Sequence, residues 1–249
     1  MSGHSKWSTI KRRKGAQDAK RGKIFTKLIK EITIAARGGG GDPDGNARLR
    51  RALDAARIAN MPADNITRAI KKGTGELEGV QYEELVYEGV GPGGVLFLLE
   101  VTTDNRNRTA AEIRKIFTKA GGQLGSTGTA AWAFDQVGMI KVPRDATTEE
   151  ALFELAAEAG AEDLSDGGEE WVVITPRDDL DAVRDALDRA GLPILEAQLA
   201  QLPKTPKTIG GSDARVLLNL YEALEDHDDV QNAFTEFEPS DESLADLEG

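Results

Sequence analysis

Apolar residues first recur at helical spacing. Between Gln17 and Arg37, Phe25, Leu28, Ile29, Ile32 and Ala36 fall on one face of a helical wheel. Lys20, Lys23, Lys27, Lys30 and Arg37 fall on the opposite face, where only Glu31 breaks the basic run. "GGGGDPDG" at 38–45 ends the helix in a flexible turn. "NARLRRALDAARIAN" at 46–60 predicts a second helix, and "PADNITRAIKK" at 62–72 a third, with Pro62 in its first turn and Gly73 as its C-cap. Residues 1–15 have few apolar anchors beyond Trp7 and Ile10 and read as a mobile arm. Residues 1–79 are thus expected to form a small all-helical domain.

The spacing changes at Gln81. "YEELVYEGV" and "GVLFLLEVTT" read as strands joined at "GPGG" (91–94). Thr109 and Glu112 have the spacing of a capping box, predicting a helix with Ile113, Ile116, Phe117 and Ala120 on its core face. "TAAWAF" at 129–134 reads as a further strand. An internal repeat follows: "MIKVPRD" (139–145) is echoed by "VVITPRD" (172–178), and "EALFELAAEAGAEDL" (150–164) by "DAVRDALDRAGLPIL" (181–195). Two strand–helix–strand copies in tandem predict a ferredoxin-like βαββαβ domain. Pro203 and Pro206 mark its exit, and a helix from Ser212 to Glu225 with a strand near 230–237 is too little for another domain. The fold class expected is α+β in three domains. Residues 1–79 are helical, 80–136 with 205–238 form a mixed α/β domain, and 137–204 are the ferredoxin-like insertion. An acidic tail occupies 239–249.

Charge sharpens this picture. The net charge is -12, yet residues 1–79 carry a balance of +10, residues 80–142 of -1 and residues 143–249 of -21. A basic head on an acidic body points to a polyanion at one end, with the body facing away. The chain has no Cys, which removes disulfides, thiol catalysis and thiolate metal sites and suits a cytoplasmic location. Its longest apolar run, "GVLFLLEV", is too short to span a bilayer, so no membrane partner is expected. Only two His occur, and His227 in "EDHDD" sits among adjacent acids that seldom converge on one ion. With no paired acid and base legible either, no enzyme, metal or cofactor is expected.

"GHSKW", "IKRRKGAQDAKRGK", "ARGGGGDPDGNARLR", "NMPADNITRAIKKGTGE", "YEGVGPGGV" and "TDNRNRTAAEIR" together resemble the YebC-type proteins, which include the mitochondrial translational activator of cytochrome c oxidase. The resemblance is dense over residues 1–142 and weaker to "DVQNAF". It implies three domains and a DNA-binding transcriptional regulator. It also admits a ribosome-associated factor, bound to rRNA, that assists synthesis of difficult sequences such as proline runs. Both need a basic surface against phosphate. The contact residues expected are His4, Lys6, Trp7, Lys11, Arg12, Arg13, Lys14, Lys20, Arg21, Lys23, Lys27 and Lys30. In "TDNRNRT" (103–109), Arg106 and Arg108 at a helix N-terminus form a second anion-friendly site, unless Asp104 and Asn105 only build the turn. No clear helix-turn-helix and no dimer interface are legible, so a monomer is expected.

Overall fold

Five apolar clusters organise the described residues, one in a helical bundle and one on each face of two sheets. The structure, a computed structural model, describes residues 17–243, with side chains from residue 22 onward. Helix α1 (Gln17–Gly39) lays Ile32, Ala35 and Ala36 against Leu49, Ala52, Leu53 and Ala56 of α2 (Ala47–Ile58) and Ala69 of α3 (Ala63–Thr74). Asn46 caps α2 by accepting the Leu49 amide, and its own amide group donates to Ala35 and Gly40 carbonyls. Pro62 is the N-cap of α3 rather than a residue of its first turn, and the helix ends at Gly75, whose φ is +83°. Gly73 is therefore not the C-cap. It lies inside α3, where a Cβ would come 2.4 Å from the Thr33 carbonyl oxygen of α1, so it lets the two helices touch.

The first sheet has the order β3-β1-β2-β9. Its strands are β1 (Glu83–Val90), β2 (Leu96–Thr103), β3 (Gln123–Leu124) and β9 (Val230–Thr235), all antiparallel. On one face, Phe97, Leu99 and Val101 pack against Ile113 and Phe117 of α4 (Arg106–Lys119) and Leu217, Leu220 and Leu224 of α7 (Gly211–Glu225). Leu96 and Leu98 point to the other face, against Ala130, Ala133 and Phe134. Burial on both faces explains why β2 opens with four successive apolar residues, Leu96 to Leu99, and not with an alternation. The stretch expected as a strand at 129–134 is instead a 3-10 turn at Ala131–Ala133, and pairing starts only at Phe134.

The second sheet, in the order β5-β6-β4-β7, comprises β4 (Phe134–Pro143), β5 (Asp163–Asp166), β6 (Glu170–Pro176) and β7 (Glu196–Pro203). Helices α5 (Glu149–Glu158) and α6 (Leu180–Arg189) cover one face, which gives the ferredoxin-like arrangement the repeat predicts. The other face, with Val137, Val172, Ile174 and Ala200, meets Phe234 of β9. Strand β8 (Lys207–Ile209) pairs in parallel with β10 (Phe237–Pro239), so the acidic tail begins later than residue 239. No helix among the described residues is long and apolar enough to cross a membrane.

Candidate nucleic-acid interface

Lys23, Lys27 and Lys30 of α1 lie away from its own core, and the fold sets them against the end of α7. Lys23 Nζ donates to the Asp226 carbonyl at 3.0 Å, Lys27 Nζ to that of Glu225 at 2.7 Å and Lys30 Nζ to that of Asp228 at 2.8 Å. Cations are favourable here because the last carbonyls of a helix lack intrahelical donors and carry its negative pole. Lys30 goes deepest. It is 6% exposed, and its Nζ lies 2.6 Å from Asp229 Oδ1.

Asp229 is the hub of this joint. Besides Lys30 it accepts from Arg108 Nη2 at 2.7 Å and from Thr109 Oγ1 at 2.6 Å, both on Oδ2. Burial opposes its charge, but the bonds from Lys30, Thr109 and Arg108 outweigh that and hold the carboxyl well below the usual carboxylate range. The Asp229 amide donates to His227 Nδ1 at 3.1 Å, so a neutral ring carries its proton on Nε2, 2.9 Å from Glu112 Oε2. Glu112, His227 and Asp229 offer three ligand-type atoms within 4.8 Å of one another. Lys30 and Arg108 already take the charge of Asp229, so the trio serves as a hydrogen-bond network holding α7 to α4.

These contacts correct part of the expected surface. Lys23, Lys27 and Lys30 engage an acidic turn, Lys30 buried and Lys23 still partly exposed, because the complementary charge lies about 200 residues along the chain. Arg108 is likewise engaged, with Asp229 and, at 2.8 Å, with Asp104. The helix it belongs to is capped by Asn105, which accepts the Arg108 amide, and not by a Thr109–Glu112 box. Thr109 is fully buried and bonded to Asp229 instead. With the Asn105 amide also bonded, to Thr103 Oγ1, the anion-binding mouth expected at "TDNRNRT" is partly closed by its own residues. Arg106 remains exposed and makes no ion pair among the described residues. His4, Lys6, Trp7, Lys11, Arg12, Arg13 and Lys14 lie outside the described residues, as do the side chains of Lys20 and Arg21.

The free cations sit elsewhere. Arg68, Lys71 and Lys72 are spaced i, i+3, i+4 on the exposed side of α3, and none has a hydrogen-bonded or ionic side-chain partner among the described residues. Lys72 also lines, with Arg37 and Thr33, a cleft of about 450 Å³ between α1, α3 and the segment leading to β1. In the sequence Lys71 and Lys72 read only as the end of the third helix, "PADNITRAIKK". The available signal was that no acid lies between Asn65 and Gly75. A turn of four residues, Ala59 to Pro62, joins α2 to α3, with Asn60 in the left-handed region at φ 56°. A short turn of this kind is what a helix-turn-helix uses, though none was clear in the sequence. On α4, Arg106, Arg114, Lys115 and Lys119 are exposed.

Comparison with known proteins places this surface in a family. Residues 5–76 match the TACO1/YebC N-terminal domain, and residues 82–237 match the TACO1/YebC second and third domain. A protein of Desulfatibacillum aliphaticivorans named "Probable transcriptional regulatory protein" is 57% identical over 98% of this chain and 99% of its own. One of Geobacter sulfurreducens with the same name is 55% identical over 99% of this chain and 100% of its own. A crystal structure of a conserved hypothetical protein from Aquifex aeolicus superposes with a TM-score of 0.87 at 46% identity, covering 92% of this chain and 96% of that one. With both family segments matched in order across nearly its whole length, this chain belongs to the TACO1/YebC family.

Proposed function

We propose that this protein is a nucleic-acid-binding regulator of gene expression that grips duplex DNA through α3 and the basic N-terminal arm. The observation that carries the reading is the row Arg68, Lys71 and Lys72. It is a set of free cations in a helical unit whose Lys23, Lys27 and Lys30 are already bonded to the rest of the protein. Free cations on one helical face neutralise phosphates and release counterions, which makes binding favourable and salt-dependent. The short turn before α3 suits a helix laid along a groove, with Thr67, Arg68 and Lys71 outward. The regulatory names of the relatives agree with this reading. The strongly acidic remainder is repelled by phosphate, which orients the molecule with its helical end toward the polyanion.

The test is the triple variant Arg68→Ala, Lys71→Ala, Lys72→Ala, titrated with duplex DNA over a range of salt. Affinity should fall, and the slope of log K against log salt should become shallower by about 0.9 per lost phosphate contact. Thermal unfolding should stay close to wild type, since exposed unpaired charges contribute little to folding. Unchanged affinity with an unchanged slope would remove α3 from the interface. Sedimentation of tagged protein from lysate separates the targets. Association with nuclease-sensitive DNA supports this reading, and association with ribosomes replaces DNA by rRNA as the phosphate source.

A further inference from the structure

Trp132 is 66% exposed, whereas Trp171 is 4% exposed. An exposed indole on a loose loop would mean little, but this loop is fixed. Glu88, 4% exposed on β1, accepts the amides of Gly128 and Ala131, each at 2.8 Å, and also the amide of Ala130. Its backbone carbonyl takes the Gly125 amide at 2.8 Å. The ring is oriented too, because Trp132 Nε1 donates to the Thr129 carbonyl at 3.0 Å. The only polar atom of the indole is thereby satisfied within the loop, and the exposed part of the ring is purely aromatic. A buried carboxylate committed to three amides is a large investment in holding a solvent-exposed ring still.

The surroundings indicate what such a ring would meet. The Lys204 amide donates to the Ala133 carbonyl at 2.9 Å, which ties the Lys204 backbone to the residue after Trp132. The Lys204 side chain is half-exposed and only loosely paired, 3.4 Å from the more exposed Asp135. Pairs of this kind exchange readily for another anion. Ser126 and Thr127, in the same loop, are exposed, and their hydroxyls have no partner among the described residues. An oriented aromatic ring on a loop that carries free hydroxyls and is bonded to the lysine after β7 has the groups that hold one unpaired nucleotide: a ring for the base to stack on and a charge for the phosphate.

We propose that Trp132 is a stacking platform for an unpaired nucleobase, with Lys204 meeting the adjoining phosphate. The proposal rests on the nucleic-acid reading above and adds a preference to it. A duplex already stacks both faces of every base, so only a single strand, DNA or RNA, gains from this site.

The test uses the full chain and variants Trp132→Ala, Trp132→Phe and Lys204→Ala. The probes are fluorescently labelled strands of thymidine or uridine and a duplex of equal length, followed by anisotropy. Trp132→Ala should weaken single-strand binding about tenfold, or about 1.4 kcal/mol, as loss of a base stacked on an aromatic ring does. Trp132→Phe should recover most of that loss, Lys204→Ala should weaken single strands alone, and duplex affinity should not move. The deoxy and ribo strands distinguish DNA from RNA as the source of the base. Single-strand affinity unchanged in Trp132→Ala, or duplex affinity lost in parallel with it, overturns the platform. If the wild type binds no probe at all, the nucleic-acid reading itself falls; if it binds duplex and single strand alike in every variant, only the platform falls.

Discussion

Asp229 shows how one side chain fixes a joint. Its side chain and that of Lys30 are each only 7% exposed, and Asp229 is shared with Arg108 and Thr109. Asp229→Asn keeps the shape and removes the charge, leaving Lys30 buried without its counter-ion. Breaking a buried pair from one side costs about 3–5 kcal/mol, which urea unfolding at neutral pH should register. The pH dependence has a definite sign. Because the folded-state carboxyl is depressed, its contribution is complete above the ordinary carboxylate value of about 4 and is lost as pH falls toward the folded-state value. Wild type should therefore lose stability below about pH 4 more steeply than Asp229→Asn. Arg106 and Arg108, two positions apart, should separate cleanly. Arg108→Ala removes bonds to Asp229 and Asp104 and should cost about 1 kcal/mol of stability, in keeping with its half-exposed position. Arg106→Ala should leave unfolding unchanged and weaken binding to nucleic acid, measured on the same preparation.

Among the elements, the crossing of α1 and α3 is the tightest point of the helical unit. A Cβ on Gly73 would meet the Thr33 oxygen at 2.4 Å and the Ala36 Cβ at 2.7 Å. Gly73→Ala should push the helices apart and cost about 1–3 kcal/mol, as overpacking does. Gly38, in the last turn of α1, has nothing within 4 Å of a Cβ, so Gly38→Ala should raise stability by about 0.4–1 kcal/mol. Thermal unfolding followed by circular dichroism compares the two. The helices and strands themselves were legible because burial imposes a period: Ile32 and Ala36 on α1, or the two-faced run of β2, leave that period in the chain. The repeat likewise announced the second sheet. The N-terminus of α4 was misread because Thr109 obeys Asp229, a partner 120 positions away, and not its local helix. The site was legible as a balance of charge and not as a surface. A helical wheel shows which side of α1 is basic, but not that Glu225–Asp229 will cover it. Arg68, Lys71 and Lys72 were overlooked because they are few, and only the structure shows that nothing pairs with them.

At the scale of the molecule, the ferredoxin-like unit interrupts another unit. β2 needs β9 as its second neighbour, and α7 supplies much of the core over Phe97 and Phe117. Residues 134–204 contain all four strands of their sheet and both covering helices, and should unfold cooperatively on their own. Residues 80–133 alone should not, while the same segment joined to 205–243 by a short linker should regain a cooperative transition. A cooperative 80–133 fragment would contradict the shared core. The helical unit is tied to both others. Arg51 pairs with Asp181 at 2.6 Å and Arg184 with Asp54 at 3.3 Å, joining α2 to α6, while α1 docks on the end of α7. All three units are therefore braced by charge, so concentrated salt, which screens the more exposed of these pairs, acts first on how they are joined.

Because a chain is synthesised from its N-terminus and its units fold as they emerge, the position of β9 also dictates an order of assembly. β2 has β1 beside it early, but its other edge stays bare until residues 230–235 have been made. Through that interval an apolar strand, Leu96–Thr103, offers unpaired backbone to any neighbour, while the inserted sheet, contiguous in sequence, can already close. Synthesis interrupted before Val230 therefore leaves a molecule with a finished helical unit, a finished insertion and an adhesive centre. That is the form on which chaperones and proteases act first.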